Sequence, residues 1–140
     1  MKMKKTISIF IIAVMCLSLF SCKKNDVQTS LWESATYTED ATFGNGAKTV
    51  EVEVIAEEKS VIFKINTDKE TLGEALSEHK LITGEEGAYG IYIKAVNGIT
   101  ADYDVDQSYW SLSKAGEYMM TGVDGEKISG GERYELTYTK

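Results

Sequence analysis

Cysteine is scarce in this chain: there are two, Cys16 and Cys22, both close to the start. The remainder has no thiol and no means of forming a disulfide, so a domain of about a hundred residues must be held by its core alone, a length within the usual range. Histidine is scarcer still. His79 stands alone, which excludes a His-based metal cluster and leaves any catalytic dyad to recruit a distant partner. No Gly-x-Ser-x-Gly, P-loop or dinucleotide fingerprint occurs, and no internal repeat or low-complexity tract, so the chain is not expected to be an enzyme. Positive charge is short as well, at −7 net. That excludes the basic footprint a nucleic-acid binder needs. The one long apolar run, Ile7 to Phe20, falls short of the roughly 20 residues that cross a bilayer.

That run has the form of an export signal. Lys2, Lys4 and Lys5 precede it, and Leu19-Phe20-Ser21-Cys22 closes it with the apolar, free, small, Cys order of a bacterial lipoprotein signal. The thiol of Cys22 is the nucleophile that would carry a diacylglyceryl thioether, and cleavage before it frees an amine for a further acyl chain. Two or three chains on one residue give stable anchoring at about 0.8 kcal/mol per buried CH₂. The plainer alternative, a simple signal peptide with an incidental Cys, leaves the position of Cys22 and the preceding Ser21 unexplained. The reading is a signal peptide over 1–21, with the membrane as partner through lipid on Cys22 and the domain outside the cytoplasm in the cell envelope. Cleavage removes three of the 15 basic residues and none of the 22 acidic ones, taking the charge to −10.

Residues 22–47 are polar and lack an apolar period, which predicts a tether. Trp32 and Tyr37 are unusual in a linker, so part of the segment is also a candidate extra edge on the domain. From 48 to 140 the pattern is that of one domain. Val50, Val52 and Val54 alternate with Glu51 and Glu53, and Val61, Phe63 and Ile65 repeat that period after Glu57-Glu58-Lys59-Ser60, which predicts a hairpin. Thr71-x-x-Glu74 is a capping box opening a short amphipathic helix through Leu72, Ala75 and Leu76 that should end near Lys80. Asn97-Gly98 predicts a tight turn after the strand containing Ile91, Ile93 and Ala95. Further strands follow at Tyr109 to Lys114, Tyr118 to Met120, and through Tyr134, Leu136 and Tyr138. The order predicts an α+β, β-grasp-like fold, a mixed sheet with one short helix packed across it.

The ordered set of Thr71 to Leu76, Tyr89 to Asp104 and Tyr109-Trp110 resembles the transcobalamin-like C-terminal domain of bacterial surface lipoproteins, a family that otherwise counts as a domain of unknown function. The resemblance covers Thr49 to Lys140. It implies a binding module with a small-molecule ligand, a corrinoid above all, and a role in corrinoid capture beside an uptake-system protein; no cofactor is expected. In the eukaryotic carriers the comparable lobe closes over cobalamin held mainly by a large helical domain, which this chain is too short to contain. Family members commonly carry an Asn-Gly turn where this chain has Ala115-Gly116.

The resemblance implies ligand contacts at Tyr109 and Trp110, with Tyr92, Gly116 and Met119 beside them. Consecutive strand residues face opposite ways, so the alternative is that Trp110 fills the core and Tyr109 lies on a sheet edge. Met119 and Met120 offer an adaptable apolar contact, with one of the two in the core. Asp102-x-Asp104-x-Asp106 starts like a calcium loop but has Gln107 and Ser113 where Gly and Glu are required, and reads as a solvated acidic loop. No metal site is expected. His79 falls at the end of the helix, where it favours the dipole. The alternative function is a protein-interaction or adhesion module working through β-augmentation.

Overall fold

The computed structural model describes residues 28–140. The signal peptide expected over 1–21 and the lipid site expected at Cys22 lie outside the described residues. Alternation builds the first layer. Strands β1 (Ala41–Phe43), β2 (Lys48–Ala56) and β3 (Lys59–Thr67) come first, and β2 pairs antiparallel with β3 from Lys48↔Thr67 to Ala56↔Lys59. The turn is therefore tighter than the four residues expected, just Glu57-Glu58, with Glu57 at φ 55°. Val50, Val52 and Val54 and their partners Val61, Phe63 and Ile65 are buried on one face, while Glu51 and Glu53 lie on the other.

Helix α1 (Leu72–Glu78) opens with the capping box: Thr71 Oγ1 accepts from the Glu74 N–H and Glu74 Oε2 from the Thr71 N–H, each at 3.2 Å. The Thr71 N–H and the Glu70 N–H, both donating to Glu74 Oε2, hold that carboxyl below its ordinary range. The helix turns Leu72, Ala75 and Leu76 into the core and stops at His79. Strands β4 (Ile82–Gly87), β5 (Gly90–Val96) and β6 (Ile99–Thr100) follow, then a one-turn helix α2 (Tyr103–Asp106), and β7 (Tyr109–Lys114), β8 (Glu117–Tyr118) and β9 (Arg133–Thr139).

The main sheet has the order β1-β3-β2-β9-β7-β8, and it is mixed because β1 runs parallel to β3 and β9 parallel to β2. The α+β class, with a helix on a mixed sheet, is as expected. Strands β4-β5-β6 form a second sheet of their own. The register shift between Thr83 and Gly84 leaves Lys94 as the extra residue of a bulge in β5, and Ile82, Val96 and Ile99 from this small sheet join the core with α1.

The expectation of a tether over 22–47 is corrected for its described part. A 3₁₀ turn at Leu31–Ser34 buries Trp32, whose indole N–H donates to the Ala56 carbonyl at 2.9 Å. Tyr37 and Phe43 stack edge-to-face on each other and on Phe63, with centroids 5.2 to 5.7 Å apart. Three aromatics in a polar segment bury enough apolar surface to hold it down, so the packed unit begins well before Lys48.

Candidate functional site

The two sheets meet imperfectly, and the opening between them is the candidate site. β6 pairs with β5 only at Ala95 and Val96, and β8 pairs with β7 only at Ser113 and Lys114. Two strand edges are thus left without a strand partner among the described residues, at Ile91–Ile93 on β5 and at Tyr109–Ser111 on β7. Between them lies a groove of about 390 Å³. Its floor is Trp110, Leu112 and Leu136, buried side chains of the main sheet. Ile91, Tyr92 and Ile93 form one wall, and Tyr103, Tyr109, Tyr118, Met119 and Met120 form the rim.

The rim is polarised between apolar bodies and wet tips. Tyr92 is 49 % exposed, Tyr103 54 % and Met120 90 %, while the Tyr103 and Tyr109 rings stand 6.4 Å apart at 59°. Lys94 Nζ sits 5.2 Å over the Tyr92 ring and 3.9 Å from Asp102. A site of this kind offers π-faces and soft sulfur contacts with few charged groups, and suits a flat or elongated apolar ligand.

Packing beneath the groove is fixed by polar contacts. The Trp110 indole N–H donates to the Ile99 carbonyl at 3.1 Å, tying the main sheet to the small one. Asp124 accepts the Ile91 N–H at 2.8 Å, wedged where Gly90 (φ 101°) and Gly73 lack side chains; a Cβ at Gly73 would fall 2.0 Å from its Oδ1. Below the far end, the buried Tyr134 hydroxyl donates to Glu126 Oε1 at 2.8 Å, and Lys114 Nζ reaches the same oxygen at 2.5 Å. Burial pushes the Glu126 carboxyl up, but the bonds from Lys114 and Tyr134 outweigh it and hold the group below its ordinary value. Burial, and then the bond to Glu126, raises the Tyr134 phenol well above its ordinary range.

Of the residues singled out in the sequence, Tyr92, Tyr109, Trp110 and Met119 come together here. Gly116 does not. It sits at the β7–β8 turn at φ 84° with open space around it. Trp110 is 8 % exposed, so it is core and floor at once, and Tyr109 lies at the edge of the sheet. Tyr103 and Tyr118 were not singled out as contacts, and of the Met119-Met120 pair it is Met119 that packs against the core while Met120 is exposed. Tyr103 lies within the acidic stretch, whose carboxylates serve the local fold. Asp102 caps α2 by accepting from the Asp104 N–H, and Asp106 accepts from Ser108 and pairs with Lys140 at 3.0 Å. His79 packs its ring on Phe43, 5.4 Å between centroids, and its Nε2 has no hydrogen-bond partner among the described residues.

The profile of a family described as a domain of unknown function, DUF4430, matches residues 69–140, which include every residue lining this groove. The chain belongs to that family. A candidate metal-binding protein from Ruminococcus gnavus, known from its crystal structure, is 37 % identical over 66 % of this chain and 97 % of its own, with a TM-score of 0.63. Haptocorrin in complex with Cbi shares the fold at a TM-score of 0.57 and 21 % identity, over 70 % of this chain and 26 % of haptocorrin. The matched part of the DUF4430 chain thus spans about a quarter of haptocorrin's length. No curated protein matches.

Proposed function

We propose that the chain is a lipid-anchored envelope protein that binds a corrinoid-like ligand in the groove between β5 and β7 and passes it to an uptake system, acting as a carrier rather than a catalyst. The observation that carries this reading is the convergence of Tyr92, Tyr109, Trp110 and Met119 on one groove in a fold shared with a corrinoid carrier. A planar macrocycle stacks on such rings, and aromatic contacts add about 0.5–1.5 kcal/mol each beyond area burial. The described residues contain no group of three or more His, Cys, Asp or Glu placed to hold a metal. A corrinoid brings its own cobalt, so the metal-binding description of the Ruminococcus gnavus protein is compatible with a groove without such ligands. The groove covers one side of a ligand, and the match to a quarter of haptocorrin supports a shared task with a second protein.

The Tyr109–Ser111 edge, which has no strand partner among the described residues, favours a second reading, capture of an extended peptide by β-augmentation. Titration of the chain from Lys23 onward with cobinamide separates the two. Quenching of Trp fluorescence and a saturable shift in the visible spectrum support the carrier. If neither is seen at about millimolar ligand, where binding would be weaker than about −4 kcal/mol, the weight moves to the peptide reading.

A further inference from the structure

We infer that the lipid on Cys22 holds this domain in one orientation, with the end that carries the β2–β3 turn and α2 against the bilayer, so that the Tyr103–Tyr109 mouth of the groove opens toward the membrane. The inference rests on the lipid-anchor reading and adds to it the surface that meets the lipid.

Three contacts bolt the chain to the β2–β3 turn as it enters the fold. Ser30 Oγ donates to Glu57 Oε2 at 2.8 Å, the Leu31 N–H donates to Glu57 Oε1 at 3.3 Å, and the Trp32 indole N–H donates to the Ala56 carbonyl. Lys59 Nζ lies 4.8 Å over the Trp32 ring and closes the other side. Strand register then shows what shares this end. Ile55 pairs with Thr137 and Thr139 with Tyr109, so Glu57, the C-terminus and the start of β7 are level. Lys140 reaches Asp106, which brings α2 with its 81 %-exposed Val105 to the same end. Lys48, Thr67 and the Gly44-Asn45-Gly46 loop lie at the other end.

Distance decides the orientation. Cys22 and Ser30 are eight residues apart, and eight residues of any conformation span at most about 26–29 Å. The eight steps from Lys48 to Ala56 make β2 about 26 Å long at about 3.3 Å per residue. A domain turned over, with the Gly44–Gly46 end on the bilayer, would place Ser30 about 26 Å up, which takes nearly the full reach of the connection. The upright domain requires no such extension. A ligand leaving past Tyr103 and Tyr109 then meets the membrane first.

The test uses the acylated full-length protein in vesicles that carry an energy-transfer acceptor on their headgroups, with the acceptor's transfer distance matched to the length of the sheet. With the sulfur of Cys22 acylated and Cys16 removed with the signal, a Cys introduced at an exposed position is the only free thiol. Donor dyes on Glu58→Cys and Val105→Cys should transfer several-fold more efficiently than a dye on Asn45→Cys. Insertion of about 20 Gly/Ser residues after Asp26 should erase the difference by restoring a flexible reach. Equal transfer from positions 58 and 45 in the protein without the insert, or stronger transfer from 45, overturns the orientation while leaving the anchor intact. Release of the protein from vesicles, with Cys22 found unmodified by mass, overturns the anchor and the orientation together.

Discussion

Asn97 and Tyr37, 60 residues apart, exchange two hydrogen bonds: the Tyr37 N–H donates to Asn97 Oδ1 at 2.9 Å, and Asn97 Nδ2 donates back to the Tyr37 carbonyl at 2.8 Å. The residue that makes the β5–β6 turn at φ 52° thus also pins the N-terminal segment. Asn97→Gly keeps the turn and removes the pin, leaving two part-buried backbone groups of Tyr37 without these partners. We expect a loss of about 1–3 kcal/mol in chemical denaturation. A change below about 0.5 kcal/mol would show that water replaces the amide at no cost.

Trp32 gives a second prediction about the same segment. Trp32→Ala should cost about 3–5 kcal/mol, as for other buried large-to-small changes, and a chain beginning at Lys48 should melt well below one beginning at Gln28. Equal melting temperatures for the two chains would return residues 28–47 to the role of a passive tether.

Acid and alkali should act through Glu126 and Tyr134. The folded pKa of Glu126 lies below its ordinary 4.5, so the unfolded chain binds more protons there; the stabilisation is complete above about pH 4.5 and fades as pH falls through the folded value. Tyr134 is shifted upward from 10.0, so the folded state keeps its proton longer and stability falls as pH rises above about 10. Glu126→Gln should flatten the acid limb of melting temperature against pH, and Tyr134→Phe the alkaline limb. Unchanged limbs in both variants would place the controlling groups elsewhere, with Glu74 and Glu132, also held below their ordinary range, the next acidic candidates.

Ala115 occupies a left-handed conformation, φ 49°, ahead of Gly116 at 84° in the β7–β8 turn. That is the type I′ geometry that Asn-Gly adopts most readily. Ala115→Asn should stabilise the protein by about 0.4–1 kcal/mol, in line with other relief of a disfavoured φ, and leave ligand binding unchanged because the turn lies off the groove. A destabilising result would mean that the methyl makes a contact worth more than the strain.

Tyr109 and Trp110 should separate binding from folding. Tyr109→Ala, at a site 38 % exposed, should change stability by less than about 1 kcal/mol while weakening cobinamide binding several-fold. Trp110→Ala should destabilise by about 3–5 kcal/mol, since its ring is core and its N–H is spent on Ile99. Tyr109→Ala with undiminished affinity would remove the groove from the binding reading.

What could be read from the sequence followed its local periods. The alternation in β2 and β3, the Thr71–Glu74 box and the Asn97-Gly98 turn depend on neighbours a few residues apart, and each formed as expected. The separate β4-β5-β6 sheet depends on which edges find partners after the chain has folded, and no local pattern encodes that. The same holds for the groove: Tyr103 and Tyr118 join Tyr92 only through the meeting of β5 with β7, so their place in it was invisible while Trp110 stood out by size. Residues 28–47 stayed open between a tether and an extra edge because Trp32, Tyr37 and Phe43 are spaced irregularly and fit neither period, though each finds a partner in β2 or β3.

The parallel pairing of β2 with β9 sets a condition on the order of assembly. Glu53 on β2 meets Arg133 on β9 across 80 residues of chain, and the two strands sit side by side in the middle of the sheet. Until the last strand arrives, Val52 and Val54 present an open apolar edge, and closure of so long a loop delays the docking that would cover it. During synthesis the main sheet can therefore close only after β9 has been made. A chain cut before Arg133 would leave its central strand unpaired and prone to aggregate.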